Sequence, residues 1–477
     1  MKSMRGLYEK SSPGNVYYKT TSMCPICNSF LPGEVVGRDN GIFVTRTCEK
    51  HGIIDGLVCS DVAWFESLYK FDVLPNKPKS HSNSIGRGCP HDCGLCSEHR
   101  QSAGTAAIEI SNACNLRCPV CLGDNKDTFA MSAAKVKKIA DDLIANQGSV
   151  DALTLSGGEP SLHPKIFEII EVLERPEITR IVMNSNGVRI AEDDWFLNEL
   201  KKHPKVSVCL HYDGPNAQEI RGVRFAMQEK ALDRLLKWNI NVVPIMLGVK
   251  DVTEPYLGST IAKLLTRSTA VKSVFLSLMA YSGPRGSTFP GNPANRLTIP
   301  CALERLESTS RGLLRKCDFM PLPMPNPLCA AIGYFIVMDG EITPIIPMVE
   351  IDRVIDFVKN SHFAKAGDDM EAILKYIIND LYANPDKHLE NAKLLSIFKR
   401  LLKELFPDGR NISVEERRQI AEERIKTVYL MQFMDAWTFD SVRLSKCSCQ
   451  HLFPDGKIVP SCGYYTYHRS KDPRFAI

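Results

Sequence analysis

Seventeen cysteines, an odd number gathered mostly in groups only two or three residues apart, constrain this 477-residue chain more than any other feature. Thiolates spaced so closely do not build a disulfide framework, but in a reducing compartment they can share one soft metal ion or cluster. The rest of the composition is that of a globular chain: 44% hydrophobic, 24% charged, with a net charge of only +4. At about 150 residues per domain the length predicts roughly three units. Disordered, collagen-like and mini-protein architectures are excluded. The dispersed charge leaves no footprint for nucleic acid. No run of about 18 apolar residues occurs, and the opening MKSMRGLYEKSSPGN lacks an apolar block, so a cytoplasmic protein without a spanning segment is expected.

The first group is Cys24-Pro-Ile-Cys27 with Cys48-Glu-Lys-His51, flanking GEVVGRDNGIFVTRT, which reads as a hairpin around Asp39-Asn40-Gly41. This is a knuckle for zinc or a single iron, with His51 or Cys59 as the fourth ligand. The polar stretch 76–88 reads as a linker. Cys89, Cys93 and Cys96 then offer three thiolates suited to a cubane cluster, whose fourth ligand must come from elsewhere. Cys114-Asn-Leu-Arg-Cys118-Pro-Val-Cys121 follows the apolar strand AAIEI (106–110) and lies on the loop leaving it. Its spacing holds three irons of a four-iron cluster and leaves the fourth free to chelate a small molecule. A second strand, ALTL (152–155), runs into Ser156-Gly157-Gly158-Glu159-Pro160. There the glycines are expected to let a ligand approach the backbone, and the carboxylate to receive an ammonium group.

Further strands are suggested at 181–184, 206–210, 242–246 and 273–278, alternating with helical patterns. Six strands in this order predict a partial parallel βα barrel with functional residues at the carboxyl ends of the strands. Asn186 and Asp213 lie at such ends, where they either line a ligand or serve as ordinary Asn-Gly and Asp-Gly turn formers. Beyond residue 300 a proline-rich segment places Cys329 on a rigid loop. Residues 350–428 read as helical, with one stripe of Ile373, Leu374, Ile377, Ile378, Leu381 and Tyr382 and another from Leu394 to Leu405, packing on the barrel. Ser413-Val-Glu-Glu416 resembles a capping box. The chain closes with Cys447-Ser-Cys449, a hairpin around Asp455-Gly456, and Cys462. With Cys329 these make four thiolates for a second auxiliary cluster. Alternatively, Cys329 completes the group at 89–96 and His451 joins the last three. Cys209 and Cys301 read as ordinary residues, and Cys317 is unassigned.

The cysteine loop followed by Ser-Gly-Gly-Glu-Pro, each after a strand, resembles the radical S-adenosylmethionine (SAM) superfamily. The resemblance implies that Cys114, Cys118 and Cys121 bind a 4Fe-4S cluster whose free iron takes the SAM amino and carboxylate groups. It further implies that Gly157, Gly158 and Glu159 contact the SAM amino group, with Asn186, Asp213 and Arg221 completing the cofactor site. One electron into the sulfonium then releases a 5′-deoxyadenosyl radical that abstracts hydrogen from unactivated carbon.

The whole order, ending in FMDAWTFD (433–440) and CSCQHLFPDGKIVPSC, resembles the family of the archaeal tetraether lipid synthase, some members of which were earlier described as methylating a dihydropterin. That resemblance spans about residues 20–468. It implies auxiliary 4Fe-4S clusters beside a rubredoxin-like site of mononuclear iron or zinc, and carbon–carbon bond formation on long-chain isoprenoid ether lipids. It also implies a low-potential electron donor such as ferredoxin or flavodoxin, and peripheral membrane contact through the helical region. The chain departs from the family with Met324 where a cysteine is common, Cys-Ser-Cys in place of adjacent cysteines, and no Gln-Pro after strand six. A pterin methyltransferase or a peptide-modifying enzyme is the alternative within the superfamily, and a non-catalytic iron–sulfur electron carrier the alternative outside it. The expected organisation is α/β: a metal-knuckle domain at 1–75, a linker and auxiliary-cluster segment at 76–105, the partial barrel at 106–300, a proline-rich loop and helical extension at 301–428, and a terminal cluster segment at 429–477.

Overall fold

Two residues, Asp39 and Asn40, turn the chain between β2 (Phe30–Arg38) and β3 (Gly41–Cys48), as the Asp-Asn-Gly signal predicts. With β1 (Val16–Met23) and β4 (Gly52–Cys59) they form a four-stranded antiparallel sheet in the order β1-β2-β3-β4. The computed structural model describes residues 8, 16–81, 83–123, 127–359, 361, 368–386, 390–472 and 474.

The six expected strands are present as β5 (Thr105–Ser111), β6 (Val150–Gly157), β7 (Ile178–Ser185), β8 (Val206–His211), β9 (Val242–Gly248) and β10 (Ser273–Leu278), all parallel and adjacent in chain order. Helices such as Ala133–Gln147 and Phe225–Lys237 cover the outside. The first is opened by Ser132, whose hydroxyl accepts from Lys135 N, and closed by Gly148. Their apolar stripes meet the outward-facing residues of the strands, including Ile108, Leu153, Leu155, Ile181 and Leu276, in one continuous core.

The remaining strands are β11 (Phe319–Pro321), β12 (Ala330–Met338), β13 (Glu341–Pro344), β14 (Ile425–Gln432), β15 (Cys449–Leu452) and β16 (Ile458–Pro460). β14 continues the parallel sheet beyond β10, and β15 pairs in parallel with β5 at the opposite edge, so strands from the end of the chain flank the six on both sides. The helical reading of 350–428 therefore overruns by four residues. Helices Asp368–Ala383, Asn391–Leu405 and Val414–Arg424 form, the last capped by Ser413, but Ile425 starts a strand. Its apolar run, Val428 to Met431, is only four residues long, and a short run in a buried strand carries no period of its own to separate it from a helix. Leu374, Ile377, Leu381, Phe398, Leu401 and Leu405 share a core with Ile336 and Met338 of β12, whereas Tyr382 points outward, 57% exposed.

Residues 432–441 join the N-terminal sheet to the barrel. Buried Arg46 donates to Met23 O at 2.8 Å and Ala436 O at 3.0 Å, Gln432 Nε2 donates to Val58 O at 2.7 Å, and Tyr18 Oη donates to Asp440 at 2.7 Å. Asp435, wholly buried, pairs with Arg296 at 2.7 Å and accepts from Tyr281 N.

Candidate active site at the carboxyl end of the barrel

The loop carrying Cys114, Cys118 and Cys121 leaves β5 and lies against the end of β6. Gly158 N donates to Ser111 O at 2.8 Å and Glu159 N donates to Ala113 O at 2.7 Å. Gly157 has φ +121°, and a Cβ there would sit 2.0 Å from Ser111 O; one on Gly158 would sit 1.9 Å from Ala113 O. The approach of the cysteine loop itself thus requires both glycines. The Glu159 carboxylate is 1% exposed and accepts from Ser161 N, Ser185 Oγ and Asn186 N, so it ties β6 to β7. Burial pushes it above the ordinary carboxylate range, against the pull of those three donors.

Asn186 stands beside the first thiol. Its Nδ2 donates to Asn115 Oδ1 at 2.7 Å and lies 3.9 Å from Cys114 Sγ, while its Oδ1 caps Val188 N. Asp213, with no exposed surface, accepts from Arg221 Nε at 2.9 Å and from Leu247 N at 2.9 Å. It therefore holds Arg221 and does not itself face the cavity. Burial alone would lower the Arg221 pKa, but Asp213, Cys118 and Cys121 together raise it, which places a fixed cation next to the cysteine loop. Burial pushes the Cys114 thiol up to about 11, with Glu159, Cys118 and Cys121 adding to the effect. Burial raises the Cys118 thiol as well, and three soft donors on one loop suit a cationic iron cluster as their counter-charge.

Cys93 is flanked by Cys89, Cys96 and Cys447, whereas Cys447 neighbours Cys462, Cys449 and Cys329. Cys329 thus neighbours the terminal three, while Cys447 and Cys462 also approach Cys93, so the two groups adjoin. Burial pushes Cys449 to about 11 and Cys462 to about 12. His451 stacks on the Tyr464 ring at 4.4 Å. Arg443, which sequence reasoning missed, is fully enclosed and donates from Nε to Cys329 Sγ at 3.0 Å. A lone arginine in SVRLSK carries no signal of that role. Cys209 is a β8 residue on the cavity wall, Cys301 is half-buried on the helix Ile299–Thr309, and Cys317 is exposed.

In the N-terminal sheet the ligand atoms of Cys24, Cys27, Cys48 and His51 all lie within 4.8 Å of one another, with His51 Nδ1 3.4 Å from both Cys24 and Cys48. Three thiols and an imidazole at this spacing suit a tetrahedral zinc or iron. Cys59 is absent from the group; its thiol is buried and donates to Asp61 O at 3.2 Å.

The inner face of the barrel encloses a cavity of about 440 Å³. Alternate residues of each strand line it: Thr154 and Ser156 from β6, Val182 and Asn184 from β7, Val243, Ile245 and Leu247 from β9, Phe275 from β10, and Met431 from β14. Val120, Leu122 and Arg221 reach it from the cysteine-loop end, as do Cys462 and Tyr465, whereas Cys449 stands opposite Thr105 at the start of β5.

Residues 108–264 match the family model described as the radical SAM superfamily, and residues 16–60 match the HMPTM N-terminal zinc ribbon domain. The chain is 24% identical to the 7,8-dihydro-6-hydroxymethylpterin dimethyltransferase of Methanocaldococcus jannaschii, across 96% of each chain. It is 34% identical to the GTP 3′,8-cyclase of Chlorobaculum tepidum over 27% of this chain and 40% of that protein. Among solved structures, Streptococcus suis SuiB bound to S-adenosylmethionine superposes with a TM-score of 0.35 and 16% identity, covering 43% of this chain and 46% of that one. With a cysteine loop, the Gly-Gly-Glu turn and an arginine gathered at the carboxyl end of six parallel strands, residues 108–264 are a radical SAM domain set behind a zinc ribbon at 16–60, and the chain is a radical SAM enzyme.

Proposed function

We propose that this enzyme acts on long-chain lipids of the isoprenoid ether class, removing hydrogen from unactivated carbons and joining them through carbon–carbon bonds. The observation that carries this reading is the cavity. It runs along the inside of the strands and is walled by Val182, Val243, Ile245, Leu247, Phe275 and Met431, which suits an alkyl chain better than a flat polar ring.

In this reading Cys114, Cys118 and Cys121 hold a 4Fe-4S cluster, and Gly157, Gly158, Asn186 and Arg221 surround SAM. When bound, that pair supplies a primary carbon radical able to take hydrogen from a C–H bond. Asp213 fixes the direction of Arg221, which supplies a cation for the SAM carboxylate. Asn186 and Glu159 hold the cysteine loop against the strand ends, and the apolar wall excludes water that would compete for a reactive intermediate. Cys89, Cys93 and Cys96, and the set Cys329, Cys447, Cys449 and Cys462, would hold the auxiliary clusters.

The test is anaerobic incubation of the reconstituted protein with SAM, a reductant and a dialkyl glycerol ether deuterated at its chain termini. Deuterium in 5′-deoxyadenosine and loss of two hydrogens per new bond are expected. Release of 5′-deoxyadenosine without deuterium transfer overturns the lipid assignment. A second reading, methylation of a pterin, draws on the printed activity of the Methanocaldococcus jannaschii relative, and is favoured if a dihydropterin gains mass in the same assay.

A further inference from the structure

The cavity has two unlike ends. Along β7 the residues Arg180, Val182 and Asn184 face it in succession, and Asn186 follows beside Cys114. Six residues at about 3.3 Å each put Arg180 roughly 20 Å along the strand from the thiol level. At that far end the wall changes character. Arg180, Lys272, Tyr334, Thr427 and Glu422 line it, Lys272 from the start of β10 and Tyr334 from β12, opposite Thr427 of β14.

Two of these groups are unspent. The Tyr334 hydroxyl is buried and makes no hydrogen bond, and Lys272 Nζ forms no hydrogen bond or ion pair among the described residues. A hydroxyl buried without a partner is costly unless a ligand satisfies it. Arg180 is partly committed, donating to Ser207 Oγ at 2.8 Å and pairing with Glu422. Lys426 is wholly committed, its ammonium donating to Leu265 O at 2.5 Å and Ser268 O at 2.6 Å. With Glu422 set against Arg180, the charge left over on the cavity lining is the Lys272 ammonium, which Glu422, Glu423 and Arg418 of the helix Val414–Arg424 neighbour. Ammonium, guanidinium and phenol are all donors.

We propose that this floor is a binding site for the anionic end group, phosphate or carboxylate, of an amphiphilic substrate whose apolar arm fills the cavity and whose far end reaches the cysteine loop. The inference rests on the long-chain reading above and names the polar end that such a substrate presents. Lys272 supplies the charge, Tyr334 a hydrogen bond, and Arg180 a second cation held in place by Ser207 and Glu422.

The experiment is calorimetric titration of the anaerobically reconstituted full chain with decyl phosphate, decanoate and 1-decanol, without SAM or reductant. The wild type is expected to bind at least one of the two anions about tenfold or more tighter than the alcohol. Lys272→Met should abolish that preference while leaving decanol affinity unchanged, Lys272→Arg should restore it, and Tyr334→Phe should reduce it. Stronger binding of decyl phosphate points to a phospholipid source, and stronger binding of decanoate to a fatty-acid source. Equal affinity for all three probes, binding of none, or a preference that survives Lys272→Met overturns the proposal. Because no SAM is involved, a protein that transfers deuterium from a lipid yet shows no anion preference loses this site alone. One that prefers the anions but transfers no deuterium loses only the proposed reaction.

Discussion

Arg443 Nε donates to the sulfur of Cys329 at 3.0 Å inside a wholly enclosed site, and its Nη2 holds Gln432 O. A fixed cation at a ligand thiolate stabilises the reduced, more negative state of whatever metal group those thiolates hold. Arg443→Met should therefore shift the midpoint potential of the auxiliary cluster downward, as read by a redox titration followed by electron paramagnetic resonance with iron content as control. An unchanged potential at full iron loading would show that the contact has no electrostatic role.

At Gly158 the obstacle to a side chain is the backbone oxygen of Ala113, which cannot rotate away. Gly158→Ala is expected to displace the cysteine loop and lower 5′-deoxyadenosine release at least 100-fold, about 2.7 kcal/mol of barrier. Iron should be lost at that cluster while the far-ultraviolet circular dichroism stays close to wild type.

The knuckle offers a paired test. Cys48→Ser should remove one metal equivalent per chain and speed amide exchange through β1–β4, because binding free energy at such a site is folding free energy. The effect should spread to 432–441 through the Arg46 and Gln432 contacts. Cys59→Ser should leave the metal content intact, since Cys59 stands apart from the four ligand atoms.

Val243 faces the middle of the cavity from β9. Val243→Trp should fill it and abolish substrate turnover by 100-fold or more while uncoupled SAM cleavage continues, a split that mass spectrometry of both products reads directly.

His211 lines the cavity with its Nδ1 unpaired, and burial, then the Arg221 cation, hold it down at about 3. The folded pKa lies below the unfolded value near 6.5, so the unfolded chain takes up the proton first. Its contribution to stability is complete above pH 6.5 and is lost as the pH falls toward 3. The thermal midpoint should drop over that window, and His211→Gln should flatten the drop.

The six barrel strands were legible because each is a short apolar run that ends in a polar or glycine-rich turn, and the cysteine groups because ligand spacing is local. β14 was not, since a strand buried on both faces looks like any apolar segment until its neighbours are known. The Gly-Gly-Glu turn was found, but not that its glycines admit the Ser111–Ala113 backbone, a contact made across more than forty residues. Arg443, Lys272 and Tyr334 gave no warning at all, because an isolated charged or aromatic residue acquires meaning only from what the fold sets opposite it.

β15 closes one side of the sheet by lying against β5, so the last thirty residues of the chain guard the backbone groups of the strand that launches the cysteine loop. An expression fragment trimmed to the matched segment 108–264 would start inside β5, expose its unpaired edge and breach the cavity wall. Such a piece should aggregate, and any minimal catalytic unit has to retain both tails.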